Sequence, residues 1–457
     1  MLPTLLAEAV AKAEVPVVWV LPFALFLLAI ATLPLFLGKF WEHNKNKGVV
    51  VAIASIPVAA WLLFGIHGGA HWLVESLEEY VAFLVLLGSL FVISGGIYLK
   101  GSLAGTPVVN TAFLAVGALI ASIVGTTGAS MLLIRPLLRA NAPRQKKVHI
   151  VIFFIFVVSN AGGMLTPLGD PPLFIGFLRG VPFTWTFQLF TEWALVNGIL
   201  LVLFNFWDQR VFNKEEIARP GSQLEDVQKV KVPLSIEGKQ NLLFLLGVVA
   251  VIYVVGTYGS KLSDSATVQK AAQVVGMLAM TALSLKTTSK AIREANRFSY
   301  GPIIEVAVIF LGIFVTMVPA THLLEAWGES GRISVDKSWQ FFWASGALSS
   351  FLDNAPTYAT FSALASGVVG RLHGTVLDPQ NLGLLLNYPE GVAFLKAVAC
   401  GSVMMGANTY IGNGPNFMVK AIAEENQVKM PSFFGYMAWS VGILVPIFLL
   451  VTFLFFS

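Results

Sequence analysis

Two carboxylates stand inside stretches of this chain that otherwise carry almost no charge. Asp170 belongs to the run Gly163-Met164-Leu165-Thr166-Pro167-Leu168-Gly169-Asp170-Pro171-Pro172, and Asp353 to Leu352-Asp353-Asn354-Ala355-Pro356-Thr357. An acid taken out of water is too costly to leave bare, so it holds a proton or a small cation, and competition between the two is the simplest route to exchange. Two carboxylates meeting at one interface would titrate as a pair. The rival role is a fixed charge that caps a half-helix N-terminus. Hard oxygen ligands accompany the acids at Thr126, Thr127, Ser130, Thr166, Asn354, Thr357, Asn408, Thr409 and Asn413. Oxygen-only ligation suits Na⁺ and not a soft transition metal. Each hydroxyl has an alternative use in bonding a neighbouring helix, worth about 0.6 kcal/mol. Glu305 is an accessory acid one turn into a span that begins at Gly301, within snorkelling reach of the membrane surface. Glu192, Asn197 and His149 lie in or at the ends of spans and are read as interfacial. His67 and His71 have the i, i+4 spacing of a metal pair, but Gly68 and Gly69 between them favour a loop.

The surroundings of Asp170 recur later in the chain. Gly406-Ala407-Asn408-Thr409-Tyr410-Ile411-Gly412-Asn413-Gly414-Pro415 shares with the first run the pattern G-x-x-T-x-[LI]-G-[DN]-x-P. Gly163, Gly169 and Pro172 in the first, and Gly406, Gly412 and Pro415 in the second, cannot continue a helix, because proline lacks the amide hydrogen and glycine weakens the helical state. Each broken span follows an apolar segment with a small, polar midpoint. The first midpoint is Gly125-Thr126-Thr127-Gly128-Ala129-Ser130, and setting Thr126 against Asp353 aligns Ser130 with Thr357. Two halves of opposite orientation, each with a broken segment in the corresponding place, mark secondary transporters with a site at the membrane midplane.

The elements that must hold these residues follow from composition. Apolar residues make up 56% of the 457 positions and charged residues 12%, where a soluble domain carries about a quarter charged. Val17–Gly38, Val81–Leu99, Asn241–Val255 and Gly435–Phe456 are spans or nearly so. Lipid offers no hydrogen bonds, so an all-α polytopic membrane protein follows. Lysine and arginine concentrate at Lys39–Lys47, Lys100, Arg135–Lys147, Arg210–Lys239, Lys286–Arg297 and Lys420–Lys429, which places these segments inside. His67–Tyr80, Gly259–Thr267, Glu325–Trp339 and Arg371–Glu390 become the outer loops, and both termini lie outside. About ten full spans result, with two re-entrant hairpins. Residues 1–80 form scaffold spans, and Val17 onward is a retained span rather than a cleaved signal. Residues 81–208 form repeat 1, with an inward-opening hairpin 108–140 and broken helix 148–179. Residues 209–241 are a cytoplasmic linker. Residues 242–423 form repeat 2, with an outward-opening hairpin 339–372 and broken helix 391–423, and 424–457 hold a final span.

Several functions are excluded. The single cysteine, Cys400, rules out an internal disulfide, a multi-cysteine zinc site and a thiolate-held cluster. No G-x-x-x-x-G-K-[ST] loop is present for an ATP-driven pump, and no H-E-x-x-H or serine–histidine arrangement for an enzyme. No cofactor is expected beyond Na⁺ and H⁺ as transported or coupling ions, and no nucleic acid partner.

The residues from Val81 to Ala423 resemble the ion transporter superfamily. Ser159-Asn160-Ala161-Gly162-Gly163 through Pro167-Leu168-Gly169-Asp170 is similar to the A-N-A-G-G-x-x-S-P-I-G-D of NhaD-type Na⁺/H⁺ antiporters, and Ser349-Ser350-Phe351-Leu352-Asp353-Asn354-Ala355-Pro356 to their S-S-x-x-D-N-x-P. Asp170-Pro171-Pro172 and Asn413-Gly414-Pro415-Asn416 are similar instead to the G-T-P-P-N of carboxylate carriers, and the chain also resembles a citrate-transporter (CitMHS-like) group. It departs from the carboxylate carriers at the first tip, which lacks their asparagine. The resemblance implies a homodimer in a bacterial inner membrane, with scaffold helices at the interface and a mobile transport region. It implies Na⁺/H⁺ antiport, or cation-coupled citrate or other carboxylate transport.

Overall fold

The computed structural model describes residues 15–457 apart from 42, 102–103, 219–234, 264 and 334. The protein is an all-α polytopic membrane protein. Its only strands among the described residues, Tyr98–Lys100 and Ser235–Glu237, pair antiparallel beside the Lys100–Glu237 contact of 3.1 Å. Among the described residues, eleven helical stretches are long and apolar enough to cross a bilayer. Ten fall on the expected full spans; the eleventh, Pro107–Val124, is the first leg of the first expected hairpin.

The helices that matter here are α1 (Leu21–Phe36), α2 (Asn44–Phe64), α3 (Gly69–Ser94), α4 (Pro107–Val124), α5 (Thr126–Ala140), α6 (Val148–Val157), α7 (Pro171–Leu178) and α8 (Phe190–Ala218) in the first part of the chain. The second part contributes α9 (Gln240–Leu262), α10 (Ala266–Thr287), α11 (Lys290–Ala295), α12 (Gly301–Ser330), α13 (Ser338–Ser349), α14 (Asn354–His373), α15 (Pro389–Met405), α16 (Gly414–Glu425) and α17 (Phe433–Val451). Apolar side chains point outward as well as inward: Phe36, Phe64 and Phe434 are 79% to 88% exposed, as lipid-facing helices require. The opposite extreme is α6, where every residue from His149 to Val157 is buried. Its β-branched and aromatic run is held by tertiary packing on all sides, not by helix propensity.

Three sequence expectations are corrected. The outer loop expected over His67–Tyr80 shrinks to the turn before Gly69, where Gly68 adopts φ 81°. The acids in that stretch belong to helix α3, and Glu79 is buried because Arg179 donates to both its oxygens at 3.1 and 3.0 Å. His149, Asn197 and Glu192 are likewise buried rather than interfacial. His149 Nε2 lies 2.8 Å from Asp208, which Arg144 also meets at 2.5 Å, and Lys396 reaches Glu192 at 3.1 Å. Pairing of this kind offsets the cost of burying these charges. Helices α8 and α9 extend into the two ends of the expected linker; residues 219–234 of it lie outside the described residues, as do residues 1–14 of the expected scaffold region. His71 pairs with Glu75 at 3.2 Å, and among the described residues no cluster of three His, Cys, Asp or Glu is placed to hold a metal ion.

Candidate functional site

Both expected breaks occur, and they are built alike. Helix α6 ends at Val157, a short 3-10 turn covers Ala161–Leu165, and the chain runs extended at Thr166 and again at Asp170 before α7 starts at Pro171. Helix α15 ends at Met405, a 3-10 turn covers Gly406–Asn408, and Thr409 and Asn413 are extended before α16 starts at Gly414. Proline at the start of α7 and α16 loses nothing there, since the first helical amides have no intrahelical acceptor.

Each break is stitched to the tip of its hairpin by a matching set of bonds. Thr166 Oγ1 donates to Ser122 O and Thr409 Oγ1 to Ser350 O, both at 2.5 Å. The same hydroxyls accept from Leu168 N at 3.1 Å and Ile411 N at 3.2 Å. Ser122 Oγ donates to Gly162 O and Ser350 Oγ to Met405 O. This correspondence sets Ser122 against Ser350, so the tips align one residue away from the register expected from residue type: Thr126 matches Asn354, and Gly125 matches Asp353. The physical reason is that Gly125 and Asp353 both occupy the position just before a helix, α5 and α14. Gly125 enters it with φ 82°, and Asp353 with a side chain that accepts from Ala355 N at 3.1 Å. The capping role is thus the one that Asp353's contacts serve. Thr166→Val and Thr409→Val should each lower thermal stability by about 1–2 kcal/mol, the cost of a buried amide and carbonyl left without their hydroxyl; melting of the purified variants measures it.

Asp170 is the meeting point. Thr126 Oγ1 donates to its Oδ1 at 2.7 Å, Asn354 Nδ2 to its Oδ2, and Asn413 Nδ2 to its Oδ1 at 3.3 Å. The two tip residues that match each other therefore hold the two oxygens of one carboxylate, and the counterpart of Asp170 in the second break supplies the third donor. Thr126 N also donates to Gly169 O at 2.8 Å. Helices α5, α7, α14 and α16 all begin around this carboxylate, with their positive ends turned to it. Among the described residues no lysine or arginine pairs with it. The arrangement holds a negative charge by neutral donors and dipoles alone, which suits a group whose charge is neutralised and restored by a mobile cation.

The other expected residues divide. Asn354 Oδ1 and Asn408 Oδ1 are buried acceptors without a partner, available to a hard cation. Asn408 Nδ2 donates to Ser350 Oγ, and Thr357 Oγ1 to Asp353 O. Ser130 bonds Ser159 at 2.8 Å, joining α5 to the end of α6. Thr127 lines a cavity of about 50 Å³ beside the first tip, together with Thr126, Gly169, Gly414, Leu87 and Pro302. Glu305 is committed elsewhere, at 2.7 Å from Lys47. Asn160 and Asn416 were not among the expected site residues. Asn160 Oδ1 accepts from Asn413 at 3.1 Å, and its Nδ2 donates to Asn416 Oδ1 at 2.7 Å, while Asn416 donates to Gly406 O and Thr409 O. These amides tie one break to the other. Asn160 lies in the same run as Asp170, but only its three-dimensional partners mark it.

A search of the curated proteins finds no match to this chain. A family model described as "Putative citrate transport" matches residues 12–456, which contain both hairpins and both breaks. On that match, the chain belongs to the citrate-transport family.

Proposed function

We propose that this protein is a secondary active transporter that carries citrate or another di- or tricarboxylate together with coupling cations, H⁺ or Na⁺, by alternating access. The observation that carries the reading is Asp170, a buried acid held between both hairpin tips and both breaks by neutral donors only. A cation arriving there changes the charge at a point that touches both halves of the chain, so cation binding and the relative position of the halves are linked. The unpartnered Oδ1 of Asn354, whose Nδ2 bonds Asp170, adds a ligand for Na⁺ there. The converging helix N-termini favour the carboxylates of the solute once Asp170 is neutralised. In this reading the two hairpins open to opposite faces of the membrane, the helices outside them form the scaffold of a homodimer, and the protein resides in a bacterial inner membrane.

Na⁺/H⁺ antiport is a second reading, favoured by the absence of a lysine or arginine paired with Asp170 among the described residues. One assay separates the two. Proteoliposomes with an imposed Na⁺ or pH gradient should accumulate labelled citrate, and dissipation of the gradient should require citrate. Gradient dissipation by Na⁺ or Li⁺ at full rate without any carboxylate would replace the first reading with the second.

A further inference from the structure

Helix α5 carries one stripe, Gly128, Met131, Leu132 and Arg135, at the i, i+3, i+4, i+7 spacing of a single helix face. Ser94 of α3 packs against Gly128. Two cavities lie end to end along this seam and share Phe91 of α3. One, of about 50 Å³, reaches Thr126, Gly169 and Gly414; the other, of about 20 Å³, is lined by Ser94, Met131, Arg135, Asn296 and Phe298. The second has room for a water. Arg135 stands about 13 Å along the helix from Thr126, at 1.5 Å per residue, toward the end of the molecule richest in arginine.

Arg135 has no ion pair or hydrogen bond among the described residues, and its Nε is buried without an acceptor. The charges acting on it are the acid Glu425, the strongest, which makes no ion pair with it, and the arginines Arg297 and Arg139. Neighbouring arginines are already engaged: Arg139 donates to Tyr98 Oη and Leu99 O, and Arg293 to Val92 O at 2.7 Å. A snorkelling arginine would place its whole guanidinium in water. A guanidinium half withdrawn from water with no bonded counter-ion is costly, and a passing anion would offset that cost.

We propose that Arg135 is an anion-capture site on the cytoplasmic arm of the permeation path, where its guanidinium pairs with a carboxylate of the transported polyanion between the seam and the cytoplasm. This rests on the carboxylate-transport reading above. A planar guanidinium matches a carboxylate by two parallel bonds, which lysine cannot reproduce. The test uses right-side-out and inside-out membrane vesicles carrying the full-length protein. Arg135→Gln should raise the KM for citrate presented at the cytoplasmic face by about tenfold, a typical loss for one charge-assisted pair, and leave the outer-face KM within about twofold. It should also narrow the preference for tri- over dicarboxylates at the cytoplasmic face. Arg135→Lys should fall between, which keeps the test alive if the glutamine variant does not reach the membrane. Unchanged cytoplasmic KM values in both variants, or equal shifts at both faces, with wild-type citrate transport intact, would overturn the site alone. Absence of citrate transport by the wild type would overturn the functional reading and this site with it.

Discussion

Asp170→Asn is expected to cut gradient-driven citrate accumulation by about 100-fold or more, equivalent to about 2.7 kcal/mol, with the protein still folded. Asparagine keeps the size and shape of aspartate, but it neither takes up a proton nor carries charge, so the coupling ion loses its seat. All three groups around Asp170 are donors: Thr126, Asn354 and Asn413. An amide nitrogen in place of either oxygen would face a donor, at a cost of about 1–3 kcal/mol. Thermal melting of Asp170→Asn should therefore fall modestly while transport is lost. Retention of coupled uptake above about a tenth of the wild-type rate would show that the cation is carried elsewhere, with Asp353 the next residue to substitute.

The second large effect concerns backbone packing at the breaks. In Gly169→Ala the added Cβ would lie 2.7 Å from the carbonyl carbon of Gly163 and closer still to its oxygen. In Gly412→Ala it would lie 2.5 Å from Gly406 O and 2.6 Å from Ser349 O. Neither obstacle is a flexible side chain, so the strands of the break must separate. Gly169 O is also the acceptor of the Thr126 amide, and separation pulls the first tip off Asp170. Each variant should lose about 2–3 kcal/mol of stability, the upper range for overpacking, together with transport. Gly198→Ala, in the interior of α8 with nothing within 4 Å of the added atom, is the control and should melt at or slightly above the wild-type temperature. Equal melting of all three would mean that the breaks are looser than their contacts indicate.

The architecture was largely legible in the chain because its signals are local. Apolar length marks spans, and Gly-Pro interruptions in the two matching runs mark breaks at the positions where α6 gives way to α7 and α15 to α16. The register of the tips was not legible. Residue type suggests Thr126 against Asp353, while the backbone sets Gly125 there, because a glycine with positive φ and a capping aspartate solve the same geometric problem by different means. The buried ion pairs were equally hidden. Glu79 finds Arg179 and Glu192 finds Lys396 only in the folded chain, so each acid alone resembles a surface residue. The same holds for Asn160 and Asn416, whose value lies in bridging the two breaks.

The most direct test of the central claim is to follow citrate and the coupling cation at once in the same proteoliposomes, for the wild type and for Asp170→Asn. With Asp170 as the seat of the coupling ion, the wild type moves cation and citrate in a fixed ratio, and the variant moves citrate only down its own gradient with no cation flux attached. An unchanged cation-to-citrate ratio in Asp170→Asn would contradict that assignment.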